Sequence, residues 1–397
     1  MTRSKERGAR RRALRTGACG ALALIAGAAT LLASCASPTS IMPDVAGRDL
    51  SLEAAEMERM RAESALEMRA RLFEVGARIS AANVTFCKDK QRADVGLDAL
   101  RPDRLPPVEQ SALASHLGLE TVAGLAPIVV GVAQGSPAEA AGIAVGDVIL
   151  NAPNTMFADQ SVLTINGGGA VALARLRRGD EIIEARMQPR QACDFPSRLQ
   201  RSRDLNAFAD GTGMTFYTAM MRLAQDDDLL ATVYAHELAH NTMRHRDAKE
   251  ENATVGMAAG LLVDIAAAVV GVNTQGQFAK MGGGIGAGAY SQAFESEADY
   301  VGAYYMRRAG YDSGRSAYFW ARMAGATGGS VQKSAFGSTH PSYPERAAAL
   351  RLAHEEMEAK LAAGEPLEPN IDASAETAEE RRQAAEARWA ARRNRDR

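Results

Sequence analysis

The stretch His236-Glu237-Leu238-Ala239-His240 decides how this 397-residue chain is read. On a helix, positions four apart lie about 40° apart around the axis, so both imidazoles face the same way. That places two nitrogen ligands for one Zn²⁺, with Glu237 beside them to accept a proton from water. Asp226-Asp227-Asp228 precede the run from Leu229 to His240. Acidic residues there suit a helix N-terminus, as cap and as partners of the helix dipole. Leu229, Val233, His236 and His240 follow the rhythm of one helical face, so the histidines are expected to look into a core. The plain reading is two core histidines satisfied by carbonyls. Two imidazoles on one apolar face without a shared partner are costly to bury, and a metal removes that cost. The expectation is one Zn²⁺ per chain.

A zinc that works on water takes three protein ligands and keeps one position open. Downstream, Phe294-Glu295-Ser296-Glu297-Ala298-Asp299 opens a second expected helix that runs on to Met306. Glu295 and Asp299 are four apart on one face. Glu295 is the candidate third ligand, and Asp299 the candidate carboxylate behind a zinc histidine. Glu297 is the rival ligand, on a different side. A solvated acidic helix start is the alternative.

These residues carry a resemblance. His236 to His240, then Glu295 to Asp299, then Ser338-Thr339-His340-Pro341 with Arg346, resemble the M48 peptidases, which include HtpX-, Oma1- and BepA-like enzymes. The likeness covers roughly residues 206–351, and Asn206-Ala207-Phe208 with Gly211 and Gly213 belongs to it. It implies zinc held by His236, His240 and Glu295, and Glu237 as general base. The chain departs from the HtpX and prenyl-peptidase branches in lacking several obvious membrane spans. The implied fold class is α+β: a mainly helical, zincin-like metallopeptidase domain at 196–356 with a small β-sheet. His340 is a candidate oxyanion donor, alternatively a fourth ligand that closes the resting site, and equally a surface-loop histidine. Gly213 to Tyr217 reads as a short strand. By likeness to related metallopeptidases it would be the edge strand on which an extended substrate lies.

The N-terminus reads as an address. Residues 1–15 carry seven basic side chains against Glu6, and Thr16 to Ser34 carry no charge. A basic start, an apolar run and a small-residue junction form a secretory signal at 1–34. Leu32-Ala33-Ser34-Cys35 resembles a bacterial lipobox, with Cys35 as the lipidation site. The alternative is a transmembrane anchor. Ala36 after Cys35 resembles an outer-membrane sorting signal, so the expected location is the bacterial envelope, lipid-anchored and facing the periplasm. Removing seven positive charges and one negative takes the formal charge from −2 to −8. An acidic mature chain has no broad basic face, so a nucleic-acid partner is not expected.

Cys19 leaves with the signal, which leaves Cys87 and Cys193 as a candidate disulfide in an oxidising compartment. A closed loop of that length gains at most about 4.7 kcal/mol in the chain-entropy model. Two unrelated buried thiols are the alternative. Between them, Pro127 to Val132 reads as a strand, Gly135 to Gly142 as a turn with a short helix, and Gly146 to Leu150 as the start of another strand. This order resembles the PDZ modules of bacterial envelope proteases, and a β-rich PDZ domain is expected at 106–192. Val171 to Leu176 would be its second helix and Glu181 to Met187 its final strand. The likeness implies a peptide ligand bound by strand addition.

Segment 35–95 contains an amphipathic helix, Leu52 to Ile79, whose Leu72, Val75 and Ile79 are expected to pack on the catalytic domain. Val255 to Val272 is strongly apolar but holds Asp264 and three glycines. As a membrane span it is short and interrupted. It is expected to be a helix over the cleft or dipping into a membrane surface, followed by a flexible Gly282–Gly288 run that gates access. Residues 365–397 are Ala, Glu and Arg rich, an exposed helix or disordered tail. The reading is a zinc endopeptidase of misfolded or misassembled envelope proteins. Its rivals are a PDZ-bearing assembly factor or chaperone with a latent metal site, and a membrane-embedded protease.

Overall fold

The computed structural model describes residues 47–150, 172–270, 272–288, 291–328 and 343–371. His340, Cys35, the span 151–171 and most of the tail lie outside the described residues. The chain divides into two compact units, Met1–Glu56 and Met57–Arg397. The described part of the first is the exposed opening of helix α1, Gly47–Ala82.

Strands β1 (Gln91–Asp94) and β2 (Leu97–Leu100) follow, then α2 (Pro107–His116), β3 (Ile128–Val132), the short α3 (Pro137–Ala140), β4 (Val148–Ile149), β5 (Ala172–Arg178) and β6 (Glu181–Met187). Strands β2 to β6 form an antiparallel sheet in the order β2-β3-β4-β5-β6. Over β3 and β4 both faces are covered, whereas β5 and β6 leave one face exposed. Val129, Leu176 and Met187 pack into one core, Ile128, Val130 and Val148 into another with Leu113 of α2. The continuous apolar run of β3 (Ile128 to Val132) is what burial on two sides demands.

Two details correct the sequence reading. The sheet takes in Leu97–Leu100, upstream of residue 106. The described part of the expected helix at Val171–Leu176 is strand: Ala172–Arg178 alternates buried and exposed residues and pairs with β6 across Gly179-Asp180. Period two, not helical spacing, rules there.

The chain enters and leaves this module through a ribbon, β1 paired with β7 (Arg190–Cys193). At its base Cys87 and Cys193 are disulfide-bonded, with Cα atoms 5.5 Å apart. Leu72, Val75 and Ile79 of α1 sit in one core with Phe216, Tyr234 and Tyr304 of the downstream domain. From the same helix Arg69 grips Asp98 of β2 with two hydrogen bonds of 2.8 and 2.7 Å. One helix therefore buttresses both parts.

Downstream, β8 (Ser197–Gln200), β9 (Ala207–Ala209) and β10 (Met214–Tyr217) form a sheet in the order β8-β10-β9. The expected edge strand Gly213–Tyr217 is instead central, because β8 adds to it in parallel; β9 holds the edge beside the site. The helices are α4 (Thr218–Leu223), α5 (Asp227–Thr242), α6 (His245–Val269), α7 (Gln277–Gly288), α8 (Ser291–Arg308), α9 (Ser316–Thr327) and α10 (Tyr343–Ala362). Asp226 caps α5, its carboxylate accepting from the Leu229 N–H at 3.0 Å. Leu229 through Ala239 are all buried. The helix is thus central, packed on every side, rather than presenting one apolar stripe.

The glycine run expected to be flexible is the body of α7. It lies antiparallel against α6 with backbones almost in contact: a Cβ on Gly256 would meet the Gly282 carbonyl, and one on Gly260 the Phe278 carbonyl. The glycines allow close approach rather than disorder.

Helix α8 crosses α5 in the same manner at Gly302. A Cβ there would stand 2.9 Å from the His236 backbone nitrogen. Neither backbone has room to yield. Gly302→Ala is expected to cost about 1–3 kcal/mol through overpacking, read as a lowered midpoint in urea denaturation. An unchanged midpoint would show that the crossing is looser than described.

Candidate active site

Helix α5 contributes His236, Glu237 and His240; α8 contributes Glu295 and Asp299. Ligand atoms of His236, His240 and Glu295 all lie within 4.8 Å of one another. The two Nε2 atoms are 3.1 Å apart. Glu295 Oε2 is 3.6 Å from His236 Nε2, and Glu295 Oε1 is 3.6 Å from His240 Nε2. Donors around a tetrahedral ion at 2.0–2.1 Å stand about 3.4 Å from each other. The spacing fits a small divalent cation without rearrangement.

Each ring is held from behind. His236 Nδ1 lies 2.9 Å from Asp299 Oδ1, an oblique approach short of a linear hydrogen bond. Arg346 of α10 fixes that carboxylate, donating from Nε and Nη2 at 2.7 Å each. Its guanidinium also lies 3.3 Å above the centroid of the Trp320 ring and 3.8 Å from Glu295 Oε2. His240 Nδ1 meets His245 Nδ1 at 2.8 Å, and His245 Nε2 meets Glu297 Oε2 at 2.9 Å. Glu297 takes the Nε2 proton of His245, so His245 Nδ1 accepts from His240 Nδ1–H. With both rings neutral, His236 and His240 each turn an Nε2 lone pair toward the space shared with Glu295.

Charge points the same way. Glu237, Glu295, Asp299 and Arg346 are all buried. Three carboxylates here face one guanidinium, an excess of acid that suits a cation. Burial opposes charge on His236, but Asp299 and Glu295 prevail and bring it up to about 9. Burial, with His236 and His245 nearby, drives His240 well down. Burial pushes Asp299 up, yet Arg346 and His236 hold it below the usual carboxylate range. Burial brings Glu237 up to about 6, against the pull of His236, which suits a residue that must both take and return a proton. The Ala209 backbone on β9 bonds to Glu237 as well. Asn241 ties the neighbouring turn to α5, accepting from the Gly211 N–H at 2.9 Å and donating to the Gly213 carbonyl at 3.1 Å.

The structure thus brings together His236, His240, Glu237, Glu295 and Asp299. His245 and Glu297 were not expected to cooperate. Helix α5 ends at Thr242, and Arg244 adopts the left-handed conformation (φ 55°) that swings His245 back beneath His240. No spacing rule reports such a break. The cue in the sequence was a third histidine five residues past the pair and a second glutamate two past Glu295. Of the other histidines, His354 accepts or donates at Ser313 Oγ (2.9 Å), away from the site.

Residues 177–354 match the model of Peptidase family M48. The mitochondrial metalloendopeptidase OMA1 of Schizosaccharomyces pombe is 33% identical over 142 residues, covering 36% of this chain and 41% of that protein. The putative beta-barrel assembly-enhancing protease of Vibrio cholerae serotype O1 is 35% identical over 139 residues, 33% of this chain and 28% of that protein. The mitochondrial metalloendopeptidase OMA1 of Saccharomyces cerevisiae is 32% identical over 148 residues, 36% and 41%. The matched stretches span less than half the length of these relatives. Together these matches support an M48 metallopeptidase domain within residues 177–354.

His245→Phe keeps the ring stacked on Phe294 (centroids 4.8 Å apart) and deletes both hydrogen bonds. Zinc affinity, measured by competition with a chromogenic chelator, is expected to fall about 10–100-fold, the usual cost of losing the partner of a ligating histidine. An unchanged affinity would mean the pair does not orient His240.

Proposed function

We propose that this chain is a zinc-dependent endopeptidase of a bacterial cell envelope, acting on misfolded or misassembled envelope proteins. One observation carries the chemistry: the Nε2 atoms of buried His236 and half-buried His240 converge with the buried Glu295 carboxylate at tetrahedral spacing, with Glu237 alongside. Two imidazoles and a glutamate form the donor set of zinc hydrolases that keep a coordination position open. Bound there, zinc supplies Lewis acidity and brings the pKa of water to about 7. Glu237 accepts the proton and hands it to the departing amine. Asp299 and the His245–Glu297 pair keep the imidazoles aimed, and the proton that Asp299 and Glu295 otherwise favour on His236 is displaced when a cation binds. The edge strand β9, bonded to Glu237 through Ala209, offers free main-chain groups along which an extended substrate could align.

The finer assignment rests on other features. The basic and apolar N-terminus with Cys35 supports secretion and a lipid anchor, with the outer membrane as its address. The name of the Vibrio cholerae relative supports a role beside β-barrel assembly; two other relatives are mitochondrial, so the address comes from the signal. The five-stranded module between the bridged cysteines supports a PDZ-like domain that holds peptide. His340 remains a proposed oxyanion donor. The second reading, an assembly factor with a latent site, is weakened by Glu237 being buried beside the metal donors.

Removing metal from the purified full chain with a chelator is expected to abolish cleavage of an unfolded outer-membrane protein, and one equivalent of zinc to restore it. Glu237→Gln is expected to retain zinc and to lose about 10²–10⁴-fold in rate. Wild-type protein that holds zinc and cuts no peptide, with Glu237→Gln still supporting the cell, would establish the assembly-factor reading instead.

A further inference from the structure

Helices α6 and α7 form an antiparallel hairpin between His245 and Glu295. Between Glu251 and Glu295 the only charged residues are Asp264 and Lys280. Away from the stripe that meets α7, the shaft of α6 is exposed and apolar on every side: Val255, Met257, Leu261, Leu262, Val263, Ile265 and Val269, with Leu262 69% and Val269 82% exposed. From α7, Phe278, Met281 and Ile285 are exposed too. A helix that packs on a protein partner, or lies flat at an interface, keeps a polar face. Over Val255–Val269 this one has none.

The geometry points to insertion of the α6–α7 hairpin, tip first, into a lipid bilayer, with the shaft in the hydrocarbon and the base at the headgroups. Four features support lipid as the occupant. The polarity profile runs charged, apolar, polar: Arg244, Arg246, Asp247, Lys249, Glu250 and Glu251 collar the base, and Asn273-Thr274-Gln275 form the tip. Thr254 to Val270 spans about 25 Å at 1.5 Å per residue, close to the roughly 30 Å hydrocarbon layer. The hairpin closes by backbone contact at Gly256, Gly260, Gly282 and Gly286, which needs no hydrophobic driving force and so survives in lipid. Finally, the one acid in the shaft is consumed internally. Asp264 accepts from the Thr274 hydroxyl and from the Phe278 and Ala279 N–H groups (3.3 and 2.8 Å), capping α7. Backbone donors at a helix start would otherwise stand bare in hydrocarbon. Lys280, a turn inside α7, has a stem long enough to carry its ammonium to the tip. The inference stands on this surface alone and does not depend on the peptidase reading.

The test uses the full chain carrying Cys19→Ser and Cys35→Ser, with an environment-sensitive dye on Leu262→Cys and, as control, on Glu355→Cys. Vesicles of phosphatidylethanolamine and phosphatidylglycerol carry nitroxides at defined acyl depths. The expected result is a blue-shifted Leu262→Cys label, quenched severalfold more by acyl-chain nitroxide than by a water-soluble quencher, with the control label unaffected. In the Leu262→Asp variant, labelled at Val269→Cys, that protection is expected to be lost. Vesicle-bound protein whose Leu262→Cys label stays open to the aqueous quencher would overturn the proposal. So would shielding without vesicles, which would assign the surface to a second copy if concentration-dependent and to this chain's own segment if not.

Discussion

The site depends on where two protons sit. With the rings neutral, Asp299 behind His236, and Glu297 through His245 behind His240, favour the proton on Nδ1 and free both Nε2 lone pairs for a cation. Reverse either tautomer and an N–H would point at its neighbour's nitrogen 3.1 Å away, and that ring would have no lone pair for a cation. Burying such a group is tolerable only because each carboxylate is itself held: Asp299 by the two-pronged grip of Arg346, and Arg346 in turn by the Trp320 face. Leaving any one of these charges unpaired in this interior would cost several kcal/mol. The polar cluster is therefore a closed set rather than a collection of independent contacts.

The fold serves that set by bringing two helices into backbone contact. Gly302 lets α8 press against α5 at His236, which is the separation at which Glu295 reaches both imidazoles. Asn241, one residue past the second ligand, binds the β9–β10 turn to the same helix and sets the edge strand beside Glu237. Helix α1 closes the far side and, through Arg69 and Asp98, ties the inserted sheet to the catalytic core. The β1–β7 ribbon and the Cys87–Cys193 bond gather the two chain crossings at one place, so the inserted sheet adds a module without opening the core.

What was legible in the sequence was what obeys a fixed period. His236 with His240, and Glu295 with Asp299, are pairs four apart on helices, and the Asp226 cap precedes its helix as capping chemistry demands. What was not legible depends on breaks in period or on pairings between distant segments. His245 reaches His240 only because Arg244 leaves helical geometry, and its partner Glu297 lies on another helix. Arg346 could be noted as part of a likeness, but its bond to Asp299 joins residues 47 positions apart. Ala172–Arg178 misled because an Ala- and Leu-rich heptapeptide suits either period; its pairing with Glu181–Met187 decided the matter. Whether Met214–Tyr217 lay at an edge turned on the parallel strand Ser197–Gln200, which has no mark of its own as a neighbour.

The hairpin α6–α7 is the only stretch of chain joining the imidazole pair to the carboxylate that completes it. Helix α6 begins at His245 itself and runs without a break into the apolar shaft, whose base at Asn252 is about 10 Å further on. On the return, α8 begins at Ser291 and presents Glu295 one turn later. A tilt of α6 would therefore reach His245, and through it the aim of His240. In a bilayer the hairpin's direction is set by the membrane normal, so a shaft held there would also fix the orientation of the donor set. The same insertion would hold the donor set within a helical turn or two of the headgroups.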